Sequence, residues 1–468
     1  MSSPITTIID DVRSKKTSAT MQVERALDKA ESKESYHALL SLQKDAALKR
    51  AAEIDQAIEQ DKPLGRLVGV PFVAKDNFLT INGETTAASK ILEHFTAPIQ
   101  ATVIEKLEAE GAICIGKANL DSFANGSSTE NSAYGPTKNA HDPSRVAGGT
   151  SGGSAVAVAL DIVPFALGSD TGGSIRQPAG FNGVVGVKPT YGTVSRYGVI
   201  AMASSFDCIG PLTRTAGDAE LILDILAGRD DRDSTSSPDF FTPHAEKLPP
   251  QKIGLITECL GDALDSEVRS SLETYVEKLK QAGHTVEEVS IPTLPHALAM
   301  YYIIMPAELM SNLARYDGVR YGARAEAETL AELYGRSRDA GLETENKRRI
   351  LIGSYVLSSG YYDAYYEHAQ KARTLLIRDY AKAFEKYDVL LSPVSPTPAF
   401  KLGEKTHDVM QMYLADTMTV PPSLAGLAAV SVPGEKTSQG LPVGIQLIGA
   451  QKADALVLAL AREMEESA

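Results

Sequence analysis

Residues 145–190, RVAGGTSGGSAVAVALDIVPFALGSDTGGSIRQPAGFNGVVGVKPT, interleave two glycine-rich loops with apolar runs. Gly148, Gly149, Gly152 and Gly153 surround Thr150 and Ser151, and Gly172 and Gly173 directly precede Ser174. Glycine turns through backbone conformations other residues avoid, so successive N–H groups can converge on one point. Beside a nucleophilic serine, such a point is an oxyanion hole. SAVAVAL after the first loop opens a helix that Ser154 is placed to cap, which sets the loop at a helix N-terminus. A plain anion-binding or tight-packing loop is the competing reading there, although the GKS of a nucleotide loop is missing. The second loop is harder to explain by packing, because a glycine pair, a serine and an Arg-Gln-Pro exit follow one another. Arg176, two positions after Ser174, reads as the residue that holds it, with substrate binding as the alternative.

Outward from this stretch, LVGVPFVA, AICIG, KIGLIT, TVEEVSIP, VLLSPVSP, AAVSVP and LPVGIQLIG read as strands. TVIEKLEAEGA and DSEVRSSLETYVEKLKQAG read as helices between them. The alternation predicts an α/β fold, a large mixed β-sheet with helices on both faces. Residues 1–62 read as an N-terminal helical arm, with helix over 20–60 because Ala51, Ile54 and Ile58 fall at helical spacing among strong helix formers. Residues 228–251 are polar, carry four prolines and read as a linker or loop within one domain spanning 1–468. The stretch NLDSFANGSSTENSAYGPTKN, 119–139, is too rich in Asn, Ser and Gly for core and reads as part of a site wall.

With 468 residues, 43% hydrophobic and 23% charged, the chain can bury a large core. No apolar run approaches the ~18 residues that cross a membrane, and MSSPITTIIDD has neither a basic start nor an apolar signal core. The expected location is the cytoplasm, with no membrane contact. Cys114, Cys208 and Cys259 form no CxxC or Cys/His cluster, so neither a disulfide framework nor a metal site is expected. Cys114 in AICIG reads as core packing. A net charge of −14 argues against this chain gripping a nucleic-acid backbone by itself.

A nucleophilic serine needs a base. The eight histidines are scattered through polar segments, whereas Lys75 in GVPFVAKDNFL follows a long apolar run. Bringing a lysine from about 10.4 to near 7 costs roughly 4–5 kcal/mol, at about 1.36 kcal/mol per unit. Only a closed, rigid site sustains that.

VGVPFVAKDNF, GGTSGGSA and GSDTGGSIRQPA resemble the amidase signature family, whose catalytic group is Ser, cis-Ser, Lys. The resemblance implies that Ser174 is the acyl-forming nucleophile, Lys75 the base, and the backbone N–H groups of Thr171, Gly172, Gly173 and Ser174 the oxyanion hole. The middle hydroxyl falls on Thr150, 24 residues before Ser174, where the family has serine; Ser151 is the alternative. Asn182 in GFNGVVG departs too, from a common cysteine, a change expected to alter packing and not chemistry.

MYYIIMPAELMSNLARYDGVRYG, KRRILIGSYVLSSGYYDAYY and MYLADTMTVPPSLAGLAAVSVP resemble the branch of the family that forms the A subunit of tRNA-dependent amidotransferases. The match is densest from Leu64 to Thr215 and runs on to about Gly449. Carried over, an arginine for the α-carboxylate of glutamine falls on Arg349 in KRRI, and an aspartate for its α-ammonium on Asp416 in MYLAD. Tyr301 and Tyr302 are candidates for the pocket lining, with helix core as the plainer reading. The resemblance implies a glutaminase that supplies ammonia for converting Glu-tRNA(Gln) to Gln-tRNA(Gln), with Asp-tRNA(Asn) as a further substrate. Its partners would be the B and C subunits of a heterotrimer, which hold the mischarged tRNA. No cofactor is expected on this chain, with ATP and Mg²⁺ at the partner subunit. The alternatives are a stand-alone amidase acting on another amide and a non-catalytic scaffold subunit.

Overall fold

The computed structural model describes residues 3–244 and 248–466. Residues 1 and 2 of the 1–62 segment, 245–247 of the 228–251 stretch, and 467–468 of the full span lie outside it. Eleven strands form one mixed sheet. In chain order they are β1 (Leu39–Leu42), β2 (Pro71–Lys75), β3 (Ile113–Ala118), β4 (Phe165–Asp170), β5 (Val185–Lys188) and β6 (Cys208–Thr213). β7 (Lys252–Ile256), β8 (Thr285–Val289), β9 (Val389–Pro393), β10 (Ala428–Pro433) and β11 (Gly444–Gly449) complete it. Their spatial order is β1-β3-β2-β4-β6-β5-β10-β11-β9-β7-β8.

β2 lies between β3 and β4 and runs parallel to both. All five of its residues are buried, as a strand covered by helices on both faces must be. Because β2 and β4 are parallel, with Ala74 opposite Leu167, Lys75 and Asp170 reach the same edge of the sheet. The second glycine loop starts at that edge. The first loop leads into the helix Gly152–Ala159, which is buried along almost its whole length.

Several expectations are corrected. The stretch 20–60 is not one helix: helices Ala19–Ser32 and Lys44–Glu59 flank β1, which pairs antiparallel with β3. LLSL instead pairs with β3 at the edge of the sheet, where its four residues are half-buried. Ser154 does not cap its helix, which begins earlier at Gly152; its hydroxyl instead donates to the Leu167 carbonyl at 2.9 Å. The polar stretch 119–139 is largely inside the protein, with Asn119, Asp121, Ser122, Asn125 and Thr129 all buried. Its polarity is met by hydrogen bonds: Asp121 accepts from the N–H groups of Thr129 at 2.8 Å and Asn131 at 2.9 Å. Residues 228–244 carry no helix or strand but are pinned to the body, since Arg196 pairs with Asp233 at 3.1 Å and Ser195 donates to Asp230 at 2.7 Å.

Asn182 is a structural bridge. Its amide donates to the carbonyls of Ala147 at 2.7 Å and Pro178 at 2.8 Å, and its oxygen accepts the Ala140 N–H at 3.0 Å. It ties the helix Arg176–Asn182 to the entry of the first glycine loop. Asn182→Ala should lower the unfolding free energy by roughly 1–3 kcal/mol, the cost of stranding buried polar groups, as measured by equilibrium urea denaturation.

Candidate active site

Lys75, at the end of β2, is wholly buried. Its Nζ lies 2.6 Å from Thr150 Oγ1 and 3.0 Å from Ser169 Oγ, and Ser169 Oγ also accepts from Asn77 Nδ2 at 3.0 Å. Burial lowers its pKa from 10.5 to about 7, against the pull of the buried carboxylates Asp121, Asp170 and Asp207. Burial also raises Asp121 and Asp207, each to about 6. Lysine is therefore available as a neutral base near pH 7.

The hydroxyl in reach of Lys75 is that of Thr150, and the Gly149–Thr150 peptide is cis. Ser151 Oγ turns away and donates to the Ser169 carbonyl at 3.2 Å. Its N–H donates to the Ser174 carbonyl at 3.0 Å, which binds the two glycine loops to each other. Ser174 is 7% exposed, and among the described residues nothing hydrogen-bonds its hydroxyl. The Lys75–Thr150 link is thus closed in this structure, while the link onward to Ser174 is open.

A buried ion pair shapes the second loop. Asp170 takes Arg176 Nε at 3.0 Å and Nη2 at 2.8 Å, together with the N–H groups of Gly173 at 2.9 Å and Ile175 at 3.0 Å. Burial would raise the Asp170 carboxyl, but Arg176, joined by Lys188 and the Ile175 N–H, holds the group below its usual value. Arg176 also reaches Gln446 at 2.6 Å and Ser423 at 2.7 Å, so it is the structural anchor its position suggested.

Because the Gly173 N–H is spent on Asp170, it is not free to bind an oxyanion. The N–H groups of Thr171, Gly172 and Ser174 have no acceptor among the described residues. Close packing requires both glycines here. A Cβ on Gly172 would lie 2.8 Å from the Tyr301 hydroxyl and ring, and one on Gly173, at φ +138°, would lie 2.1 Å from Thr419 Oγ1. Thr171 Oγ1 donates to Asp207 at 2.7 Å, and Thr419 Oγ1 to the Gly172 carbonyl at 2.7 Å.

The helix Ala297–Leu313 presents two tyrosines differently. Tyr301 is buried against Gly172 and Phe206, so it supports the loop. Tyr302 donates to Asp416 Oδ2 at 3.3 Å and stacks on Tyr413, with ring centroids 3.9 Å apart. Arg349, on the helix Thr344–Val356, packs 4.7 Å from both of those ring centroids. Tyr302 therefore joins Arg349 to Asp416. Asp416 further accepts from Ser127 Oγ at 2.6 Å and from Gln177 Nε2 at 3.2 Å, while Gln177 Oε1 accepts the Gly149 N–H at 3.0 Å. Burial raises Asp416 to about 7, opposed by the Ser127 hydroxyl and the charge of Arg349. A cavity of about 230 Å³, lined by Ser127, Asp121, Glu345, Arg349 and Tyr413, opens on the arginine side.

Ser127, Gln177, Glu345, Tyr413 and Thr419 were not singled out in the sequence. Gln177 and Tyr413 lay inside motifs already quoted, and Ser127 in the loop assigned to the wall. Glu345 is four residues before Arg349, helical spacing for an ion pair. Among the described residues, no group of three or more His, Cys, Asp or Glu side chains is arranged to hold a metal.

Residues 22–458 match the amidase family. The chain is 51% identical over 459 residues to the A subunit of glutamyl-tRNA(Gln) amidotransferase from Thermosynechococcus vestitus, covering 97% of this chain and 95% of that one. Among solved structures, the A subunit of the Thermotoga maritima glutamyl-tRNA(Gln) amidotransferase superimposes with TM-score 0.80 at 39% identity, covering 96% of this chain and 91% of that one. A bacterial aryl acylamidase of the amidase signature family superimposes with TM-score 0.86 at 25% identity, covering 98% and 95%.

The Lys75 shift has a consequence for stability. Between about pH 7 and 10.5 the unfolded chain carries a proton on this lysine that the folded chain does not. Its destabilising contribution is therefore full below about pH 7 and fades as pH rises to 10.5. Lys75→Met should be more stable than the wild type near neutral pH, with the advantage shrinking as pH rises, as read by urea unfolding at several pH values.

Proposed function

The chain belongs to the amidase family, and from that premise we propose that Ser174, Thr150 and Lys75 open the side-chain amide of glutamine. The protein is the glutamine-hydrolysing subunit of a glutamyl-tRNA(Gln) amidotransferase, and it works within a multi-subunit enzyme. One observation carries the chemical reading: a wholly buried lysine with its pKa near 7 lies 2.6 Å from the hydroxyl next to the nucleophile loop.

Neutral Lys75 takes the Thr150 proton as Thr150 takes that of Ser174, and Ser174 Oγ bonds to the amide carbon. Charge gathers on the carbonyl oxygen, toward which the N–H groups of Thr171, Gly172 and Ser174 are free to donate. Lys75 returns its proton through Thr150 to the amide nitrogen, the C–N bond breaks and ammonia leaves. Water then attacks the acyl-enzyme by the same relay, restoring Ser174 and releasing glutamate.

Arg349 forks onto the α-carboxylate, and Asp416 takes the α-ammonium. Tyr302 supports both groups, and Tyr301 buttresses the oxyanion loop. The partners in this reading are the B and C subunits. They hold Glu-tRNA(Gln), or Asp-tRNA(Asn), and bind the ATP and Mg²⁺ that activate it for the ammonia. In this reading the assembly works in the cytoplasm.

Ammonia release from glutamine tests the reading, measured on the purified chain alone and then with the partner subunits, ATP and mischarged tRNA. Turnover should rise sharply with the partners, whereas brisk hydrolysis of simple amides with no preference for glutamine would contradict it. Lys75→Ala should lose on the order of a thousandfold or more in kcat, the contribution of a general base, with an unchanged circular dichroism spectrum.

A further inference from the structure

Arg349 is not unpartnered before substrate arrives. Its Nε donates to Glu345 Oε1 at 2.6 Å, and the same oxygen accepts the Tyr413 hydroxyl at 2.9 Å. The other Glu345 oxygen accepts from Arg348 Nη1. Residues 345, 348 and 349 meet because i, i+3 and i+4 share one face of the helix Thr344–Val356. Arg349 is 2% exposed, and a guanidinium so placed with no carboxylate nearby would be an uncompensated buried charge.

The mode of pairing is informative. Glu345 does not fork onto Arg349; it takes Nε through one oxygen and gives its other oxygen to Arg348. Nη1 of Arg349 meets only the Met305 sulfur, at 3.8 Å, and Nη2 has no hydrogen-bond partner among the described residues. The pair of nitrogens suited to a bidentate carboxylate is left uncommitted by any oxygen. Glu345 also fixes the Tyr413 ring against which Arg349 and Tyr302 pack.

The geometry points to Glu345 as the positioning residue for substrate recognition: it holds Arg349 by Nε and fixes Tyr413, so that Nη1 and Nη2 meet the α-carboxylate of glutamine. This rests on the assignment of Arg349 to that carboxylate. Glu345 acts through Arg349 and neither touches the scissile amide nor moves a proton. Its loss should weaken the binding of glutamine and leave the bond-breaking step alone.

The test compares Glu345→Gln, Glu345→Ala, Glu345→Asp, Arg349→Lys and the double variant Glu345→Gln/Arg349→Lys in the assembled amidotransferase. The substrates are glutamine and 4-aminobutanamide, which keeps the amide and ammonium but has no α-carboxylate. Glu345→Ala should raise KM for glutamine about tenfold while kcat stays within about threefold, the signature of lost ground-state binding. Glu345→Asp should recover part of that loss. kcat/KM for 4-aminobutanamide should fall far less than that for glutamine, and the double variant should be no worse than Arg349→Lys alone. Equal losses on both substrates, additive losses in the double variant, or an unchanged KM for glutamine would each overturn the role of Glu345 while leaving that of Arg349 standing. An unchanged KM in Arg349→Lys would remove the parent assignment, and this inference with it. Thermal melts of each variant separate misfolding from these outcomes, and Glu345→Asp carries the test if the alanine variant does not fold.

Discussion

Removing a lysine ammonium from water is costly, and this fold is arranged so that the neutral form is the cheaper one near pH 7. Lys75 touches hydroxyls and a carbonyl, and among the described residues no carboxylate contacts it directly. A direct ion pair would have kept it charged and useless as a base. Asp121, Asp170 and Asp207 act at a remove and stop the shift at about 7 instead of letting burial drive it further. The parallel register of β2 with β3 and β4 puts the lysine at that balance point, because it fixes which side chains reach the same sheet edge.

The acids that tune the lysine also build the loops around it. Asp170 frames the second glycine loop through Arg176 and through the N–H groups of Gly173 and Ile175. Asp207 holds the loop through Thr171, and Asp121 organises the buried polar stretch that delivers Ser127 to Asp416. Three carboxylates thus have electrostatic and structural roles at once. Rigidity and pKa are coupled here: loosening any of these loops changes both the field at Lys75 and the aim of the N–H groups.

The two ends of the site are joined by short polar chains. Gly149 reaches Asp416 through Gln177, and Asp416 reaches Arg349 through Tyr302. Arg349 and Asp416 are therefore tied to the loop that carries Thr150, and in the proposed mechanism this fixes the distance between the end of the substrate that is held and the end that is cut. Pre-set spacing of this kind lowers the entropy cost of reaching a reactive geometry.

The sequence by itself marked seven of the eleven strands and the glycine loops, and its likeness to a family marked the groups proposed to react; β1, β4, β5 and β6 emerged only in the structure. Apolar runs, glycine pairs and a lysine after VPFVA are local signals, and local sterics and burial enforce them. It also marked Arg349 and Asp416 through quoted motifs. Tertiary structure decided what each polar residue touches. The stretch 119–139 has a surface composition yet lies inside, because it folds back so that its own Thr129 and Asn131 N–H groups meet the Asp121 carboxylate. LLSL became an edge strand because β3 offered it unpaired backbone groups. Ser154 lost its capping role to a helix that begins two residues earlier, and Gly173 lost its N–H to Asp170. Hydrogen bonds and desolvation depend on neighbours brought from elsewhere in the chain, so neither the pKa of Lys75 nor the bridging of Glu345 to Tyr413 is written in any single segment.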